Sequence, residues 1–60
     1  MDIKRIRVQA GMSQESLAQA VGVSRVSIVR YETGERKPAL DVAAKIAKAL
    51  GCKVDDLIDK

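Results

Sequence analysis

Two short segments, each opened by a serine and closed by a glycine, constrain the fold of this chain more than any other feature. Ser13 and Gly22 bound the first segment, and Ser24 and Gly34 bound the second. A serine hydroxyl can accept a hydrogen bond from an unpaired amide in the first turn of a helix, and glycine takes the positive φ angle at which helices often end. We therefore predict two short helices joined by a glycine turn.

Three further helices are predicted around this pair, and no segment alternates as a half-buried strand would. They cover roughly Asp2–Gln9, Leu40–Leu50 and Val54–Asp59. The apolar positions expected to face the core are Ile3, Ile6, Leu17, Ala18, Val21, Ile28, Tyr31, Leu40, Ala43, Ala44, Ala47 and Leu50. The prediction is an all-α fold of five helices, forming one domain over residues 1–60.

The composition argues against catalysis, metal binding and membrane insertion. The 60 residues include no His, which removes the commonest metal ligand and general base. The lone Cys52 excludes an intrachain disulfide and is interpreted as a small, partly buried apolar residue. We find no nucleophile–base pair, no phosphate-binding glycine loop and no room for a substrate cavity. We therefore expect no enzyme activity, no cofactor, no metal and no small-molecule ligand. No apolar run approaches the roughly 20 residues of a membrane span, so we expect a soluble, cytoplasmic protein.

Positive charge is concentrated in the first two-thirds of the chain. Through Lys37 there are seven basic and four acidic residues, and every Arg lies in this part. From Pro38 onward, four Lys balance four Asp. Such a bias suits a polyanionic partner, although small basic domains are common and the bias alone is weak support.

The second helix of the pair, at about residues 24–33, has an apolar side and a polar side. At 100° per residue, one arc of about 140° contains Arg25, Val26, Val29, Arg30 and Thr33. Ile28 and Tyr31 lie on the opposite arc and are expected to face the core.

The polar arc has side chains that can read DNA. An arginine can grip guanine with two hydrogen bonds or bind a phosphate, and an apolar side chain can contact the methyl group of thymine. A solvated surface arginine is the alternative for Arg25 and for Arg30 taken singly. Val29 suits a groove contact and an edge of the core or a dimer contact about equally, whereas Val26 favours the groove.

The run from Ile3 to Ile58 resembles helix-turn-helix domains of the Cro and phage-repressor (Xre-like) type. The resemblance depends on Leu17-Ala18, Gly22 and Ile28, with GMSQ before them and YETGERKP after them. It implies a compact, five-helix, lambda-repressor-like fold that binds double-stranded DNA with the helix at about residues 24–33 in the major groove.

The resemblance also implies roles for individual residues. The positions that match base contacts are Arg25, Val26, Val29 and Arg30. The positions that match phosphate contacts are Gln14, Ser27, Thr33, Arg36 and Lys37, with packing near the turn as the alternative for Ser27. Arg7 and Glu32 match an internal ion pair.

The chain departs from the family pattern at three positions. Val26 stands where many relatives have a polar residue such as Gln, which makes adenine recognition there doubtful. Ala39 and Lys53 stand where relatives often have a serine cap, so we expect the fourth and fifth helices to fray at their starts.

Two functions remain in competition. The first is a small transcriptional repressor that binds a palindromic operator as a homodimer, with Leu57 and Ile58 as candidates for the dimer contact unless they pack into the monomer's own core. The second is an antitoxin-like module that binds a protein partner and binds DNA secondarily. The second function would depend on Val26 and Val29, and the first on Arg25 and Arg30.

Overall fold

Five α-helices account for the fold in the computed structural model, which describes residues 2–57. They are α1 (Ile3–Gln9), α2 (Gln14–Val21), α3 (Arg25–Thr33), α4 (Leu40–Leu50) and α5 (Val54–Leu57). No strand occurs within residues 2–57, so the predicted all-α, five-helix fold is confirmed. The last part of the predicted fifth helix, residues 58–59, lies outside the described residues. None of the helices between residues 2 and 57 combines the length and the apolar character needed to cross a membrane.

The turn between α2 and α3 forms as the serine and glycine positions predict. The Ser13 hydroxyl accepts a hydrogen bond from the Ser16 amide at 3.0 Å, and the Ser24 hydroxyl accepts one from the Ser27 amide at 3.2 Å. Gly22 ends α2 with φ 85°, and its amide donates to the carbonyl of Ala18 at 2.8 Å. These local bonds fix where α2 stops and where α3 begins.

The core is built where all five helices meet. Helix α2 packs against both α3 and α4, while α4 packs against α5 and α1 packs against α3. The largest fully buried side chains come one from each helix and are Ile3, Leu17, Ile28, Ile46 and Leu57. Ile6 is half-buried and packs against this core. Because no helix buries a core by itself, the orientation of α3 depends on the helices packed against it.

The predicted core face of α4 is wrong at two positions. Leu40 is 74% exposed and Ala44 is exposed, whereas Ile46, which was not predicted, is fully buried. The buried positions follow the i, i+3, i+4, i+7 pattern of one helix stripe and are Ala43, Ile46, Ala47 and Leu50. Leu40 lies one turn before Ala43 at the start of the helix, beyond the edge of the core. Ala44 lies beside the stripe, and a side chain as small as that of alanine does not show in the sequence whether its position is buried or exposed.

The two helix starts that lack a serine cap behave differently. At the start of α4, Ala39 makes no side-chain capping bond, as expected. At the start of α5, the Lys53 amide donates to Asp56 Oδ2 at 3.1 Å. A carboxylate three residues into a helix that accepts from the capping residue's amide supplies half of a capping box. The start of α5 therefore has a stabilising bond that the lysine at position 53 did not predict.

Leu57 does not have the role in dimer contact for which it was a candidate. Its side chain has 0% exposure and belongs to the monomer's own core. An apolar side chain this deeply buried has no surface left to offer to a second copy. The other candidate, Ile58, lies outside the described residues.

Replacing Gly22 tests the left-handed turn between α2 and α3. A Cβ at Gly22 would meet no atom within 4 Å, so the cost of Gly22→Ala comes from the backbone conformation alone. We expect a loss of about 1 kcal/mol in the free energy of unfolding, measured by urea denaturation. Gly22→Asn should lose less, because Asn adopts this conformation more readily than Ala. Equal stability of the alanine variant and the parent would contradict the turn geometry.

Candidate nucleic-acid interface

Helix α3 presents a mixed basic and apolar surface on the side away from the core. Ile28 is fully buried and Tyr31 is 6% exposed, which fixes the inward side of the helix. On the outward side Arg25 and Arg30 are exposed, and Val26 is 52% exposed. A partner that covers the exposed valine would lower the free energy, because the transfer of an apolar side chain out of water is favourable.

Val29 lies between the two sides of α3. It is half-buried, yet it is not one of the partly buried apolar side chains that pack against the core. The structure therefore gives little support to the interpretation of Val29 as an edge of the core. Its position beside Val26 and Arg30 on the outward arc keeps it within the candidate surface.

Arg30 has an acidic neighbour that the sequence did not indicate. Its Nε lies 4.0 Å from Glu35 Oε2, and the two side chains are 49% and 68% exposed. Exposed ion pairs of this kind contribute little, so the guanidinium can leave Glu35 for another partner. The pair spans the turn at Gly34, where helical spacing no longer predicts which side chains meet.

The loop after α3 is folded back onto the end of that helix. The Thr33 hydroxyl donates to the carbonyl of Arg30 at 3.1 Å and accepts from the Glu35 amide at 3.4 Å. The amide of Arg36 also donates to the carbonyl of Arg30, at 3.3 Å. These bonds place the exposed side chains of Arg36 and Lys37 just past the end of α3.

Ser27 lies at the turn and shares its polar groups with Ser24. The Ser27 amide donates the hydrogen bond that caps α3, and the two hydroxyl oxygens of Ser24 and Ser27 also lie 3.1 Å apart. Ser27 is half-buried. The Ser27 hydroxyl thus has a neighbour within the turn, which fits packing near the turn and leaves its phosphate contact a prediction.

Behind the outward surface, a buried ion pair joins α1 to α3. Arg7 Nε donates to Glu32 Oε2 at 2.6 Å, and Arg7 Nη2 donates to Glu32 Oε1 at 3.3 Å. The remaining Arg7 nitrogen, Nη1, donates to the carbonyl of Met12 at 2.8 Å. The two side chains are 10% and 4% exposed. Arg7 is thus a structural residue inside the protein, and the resemblance had implied this pairing.

Gln14 joins the same carboxylate from α2. Its Nε2 donates to Glu32 Oε1 at 3.0 Å, and the residue is half-buried. From the sequence, Gln14 is expected only as a phosphate contact, and its bond to Glu32 was not predicted. Positions 14 and 32 belong to different helices and no helical or strand spacing relates them, so only the packing of α2 on α3 brings them together.

The environment of Glu32 keeps its carboxyl group ionised. Burial acts to raise the pKa of Glu32, but the hydrogen bonds from Arg7 and Gln14 and the positive charges of Arg7 and Lys4 outweigh it, so the pKa lies below its usual value. The carboxylate therefore acts as an acceptor at neutral pH. Elsewhere, burial raises the pKa of the Cys52 thiol, and Asp56 adds to this effect.

A helical pair of this kind, capped by serine and glycine and set on three supporting helices, defines a helix-turn-helix protein. The model of the helix-turn-helix family matches residues 3–57, nearly all of the chain. The chain therefore belongs to the Cro/C1-type helix-turn-helix family of DNA-binding transcriptional regulators. This is a family of regulators and not a class of enzymes.

Relatives come from archaea, bacteria and a bacteriophage. An uncharacterised HTH-type transcriptional regulator of Archaeoglobus fulgidus is 44% identical over 55 residues, which cover 92% of this chain and 79% of the relative. The uncharacterised regulator YgzD of Bacillus subtilis is 40% identical, with coverage of 92% and 83%. The cryptic phage CTXphi transcriptional repressor RstR from Vibrio cholerae is 32% identical over 93% of this chain and 50% of its own length.

Acid should weaken the fold through Glu32. Because the folded pKa of Glu32 is below its unfolded value, the unfolded chain binds the proton more readily. The stabilisation is present above the ordinary glutamate pKa of about 4.3 and is lost as pH falls through the folded value. We expect the free energy of unfolding to fall more between about pH 5 and pH 3 in the parent than in Glu32→Gln.

The comparison needs a stabilising solvent and a control. Glu32→Gln removes the carboxylate from the buried Arg7 guanidinium and should cost about 1–3 kcal/mol at neutral pH, so urea unfolding is measured in sucrose, which favours folded states. The control is Glu35→Gln, because Glu35 is 68% exposed and its pairing is weak. That variant should lose stability with acid as the parent does. Parallel pH profiles for the parent and Glu32→Gln would refute the assigned role of Glu32.

Proposed function

We propose that this chain binds a specific sequence of double-stranded DNA by placing α3 in the major groove, and that it acts as a transcriptional repressor. The residues proposed to contact bases are Arg25, Val26, Val29 and Arg30. The family supports DNA binding and regulation of transcription. We propose major-groove recognition and repression in addition.

The observation that carries the proposal is the exposure pattern of α3. Two arginines and a 52% exposed valine share the side of the helix that Ile28 and Tyr31 do not use. The major groove offers guanine O6 and N7 to an arginine fork and the thymine methyl to an apolar side chain. A groove containing both kinds of base would cover the valine and bind the arginines at once.

Phosphates would flank this helix on two sides. Arg36 and Lys37 are exposed on the loop that folds onto the end of α3. Gln14 is the first residue of α2, and the unpaired amides and the dipole at a helix N-terminus favour an anion. Ser27 and Thr33 complete the proposed phosphate contacts, although each hydroxyl shares an internal hydrogen bond.

A homodimer on a palindromic operator is the proposed assembly. Helix-turn-helix dimers set their recognition helices about 34 Å apart, so that each reads a half-site one helical turn from the other. One relative, RstR, is a phage transcriptional repressor, which supports the same direction of regulation here.

Selection of bound sequences from a random DNA pool tests the proposed function directly. A palindromic motif with half-sites about one turn apart is the expected result. A single half-site would contradict the dimer, and no enrichment would contradict specific DNA binding.

A protein partner, the competing function, would be indicated by binding that depends on Val26 and changes little with salt, whereas DNA binding weakens steeply with salt.

Replacing Arg25 should change which DNA is bound. Arg25→Ala removes one proposed bidentate contact and should cost about 1–3 kcal/mol, with relaxed preference at one base-pair position. The measurement is the Kd for the selected motif and for each single-base variant of it. An unchanged preference at every position would rule out a base contact by Arg25.

Replacing Lys37 should change how tightly every DNA is bound. Lys37→Ala removes a proposed phosphate contact, so affinity should fall by a similar factor for all sequences. The slope of log Kd against log salt concentration should decrease by about one. Lys45→Ala on α4 is a matched control, since it removes the same charge from an exposed position without a proposed contact. A change of sequence preference in Lys37→Ala would contradict the assignment.

A further inference from the structure

Glu32 accepts a hydrogen bond from Gln14 in addition to those of its ion pair with Arg7. Its Oε2 accepts from Arg7 Nε at 2.6 Å, while its Oε1 accepts from both Arg7 Nη2 at 3.3 Å and Gln14 Nε2 at 3.0 Å. The carboxylate thus ties α1, α2 and α3 together at one point. The bond to Gln14 reaches a residue at the proposed DNA surface, which the bonds to Arg7 do not.

The ionised carboxylate decides which end of the Gln14 amide it holds. A carboxylate without a proton can only accept, so it takes the NH2 end of the amide and not the oxygen end. Arg7 and Lys4 on α1 keep the pKa of Glu32 low, which keeps this choice in force at neutral pH. One N–H of Gln14 is then used and the other remains for a further acceptor.

The position of Gln14 within α2 indicates what its remaining side-chain N–H can bind. Gln14 is the first residue of α2, where backbone amides have no partner within the helix. The Gln14 side chain is half-buried, so part of it faces outward. A free glutamine side chain has several rotamers and loses entropy when it binds, whereas one already held by a buried acceptor loses less.

We propose that Glu32 is a positioning residue for DNA binding: it holds the Gln14 amide in one orientation, with an N–H beside the N-terminus of α2 ready for a DNA phosphate. This role rests on the proposed DNA-binding function and adds to the structural role of Glu32 with Arg7. It makes the phosphate contact of α2 and the reading surface of α3 parts of one preorganised unit.

A spectrum of side-chain amides tests the contact itself. The chain has glutamines at positions 9, 14 and 19 and no asparagine, so a 15N-labelled sample has three side-chain NH2 pairs. In Glu32→Asp, which keeps the charge but shortens the side chain, the Gln14 pair should shift and the other two should stay. The matched control is Glu15→Asp on α2, because Gln19 Nε2 lies 3.5 Å from the exposed Glu15 Oε1. It should leave the Gln14 pair unchanged.

A double-mutant cycle tests the positioning. With the selected DNA motif and correction for the folded fraction of each variant, Glu32→Asp should raise Kd about three- to tenfold in the parent. In the Gln14→Ala background the same substitution should raise Kd by a clearly smaller factor, because the part of its effect that passes through Gln14 is then absent and only the part that passes through Arg7 remains. Glu15→Asp should change Kd less than about twofold in both backgrounds. If Glu32→Asp does not fold, Glu32→Gln takes its place with the same expectation.

The outcomes separate this inference from the function on which it rests. Equal effects of Glu32→Asp in both backgrounds, or no effect in the parent, would overturn the positioning role and leave DNA binding intact. An unmoved Gln14 pair in Glu32→Asp would also overturn it. If the parent protein selects no DNA at all, the proposed function fails and this inference fails with it.

Discussion

The carboxylate of Glu32, a single buried charge, joins α3 to the two helices packed against it. Its partners come from α1 and α2, so three helices share one polar contact. Burying an ion pair costs hydration, and an apolar replacement is often no less stable. What the pair adds is geometry, because directional bonds fix distances that apolar packing leaves adjustable. In a chain of 60 residues without Phe or Trp, that constraint supplements a core made mostly of aliphatic side chains.

Local chemistry made much of the fold predictable. The serine caps and the glycine at position 22 depend on groups a few residues apart, and the bonds at Ser13, Ser24 and Gly22 form as the sequence indicates. Helical spacing likewise placed Ile28 and Tyr31 inward. The face of α4 was less predictable, since Leu40 lies beyond the edge of the core and Ala44 lies beside the buried stripe. An apolar residue at a helix start continues the stripe in sequence but not the core in space.

At the candidate site, the exposed side of α3 was predictable and the family resemblance implied the Arg7–Glu32 pair, but other contacts between helices were not predictable. Exposure of Arg25, Val26 and Arg30 follows from the wheel of a single helix. The bond from Gln14 to Glu32 follows only from the angle between two helices, and no spacing along the chain reports that angle. The pairing of Glu35 with Arg30 was not predicted for a related reason, because the turn at Gly34 interrupts the helical period before Glu35. Contacts between elements that the family resemblance did not imply therefore needed the structure.

The distribution of arginines separates a supporting role from the proposed recognition role within one small protein. Arg7 is enclosed, and its charge is matched by Glu32, so it adds little field at the surface. Arg25 and Arg30 are exposed, and the acidic neighbour of Arg30 is held only weakly. Coulomb attraction to DNA depends on charges that solvent and phosphate can reach. A buried arginine can therefore hold α3 against the rest of the protein, while exposed arginines on the outward side of α3 remain available to a partner. The difference between these roles follows from burial.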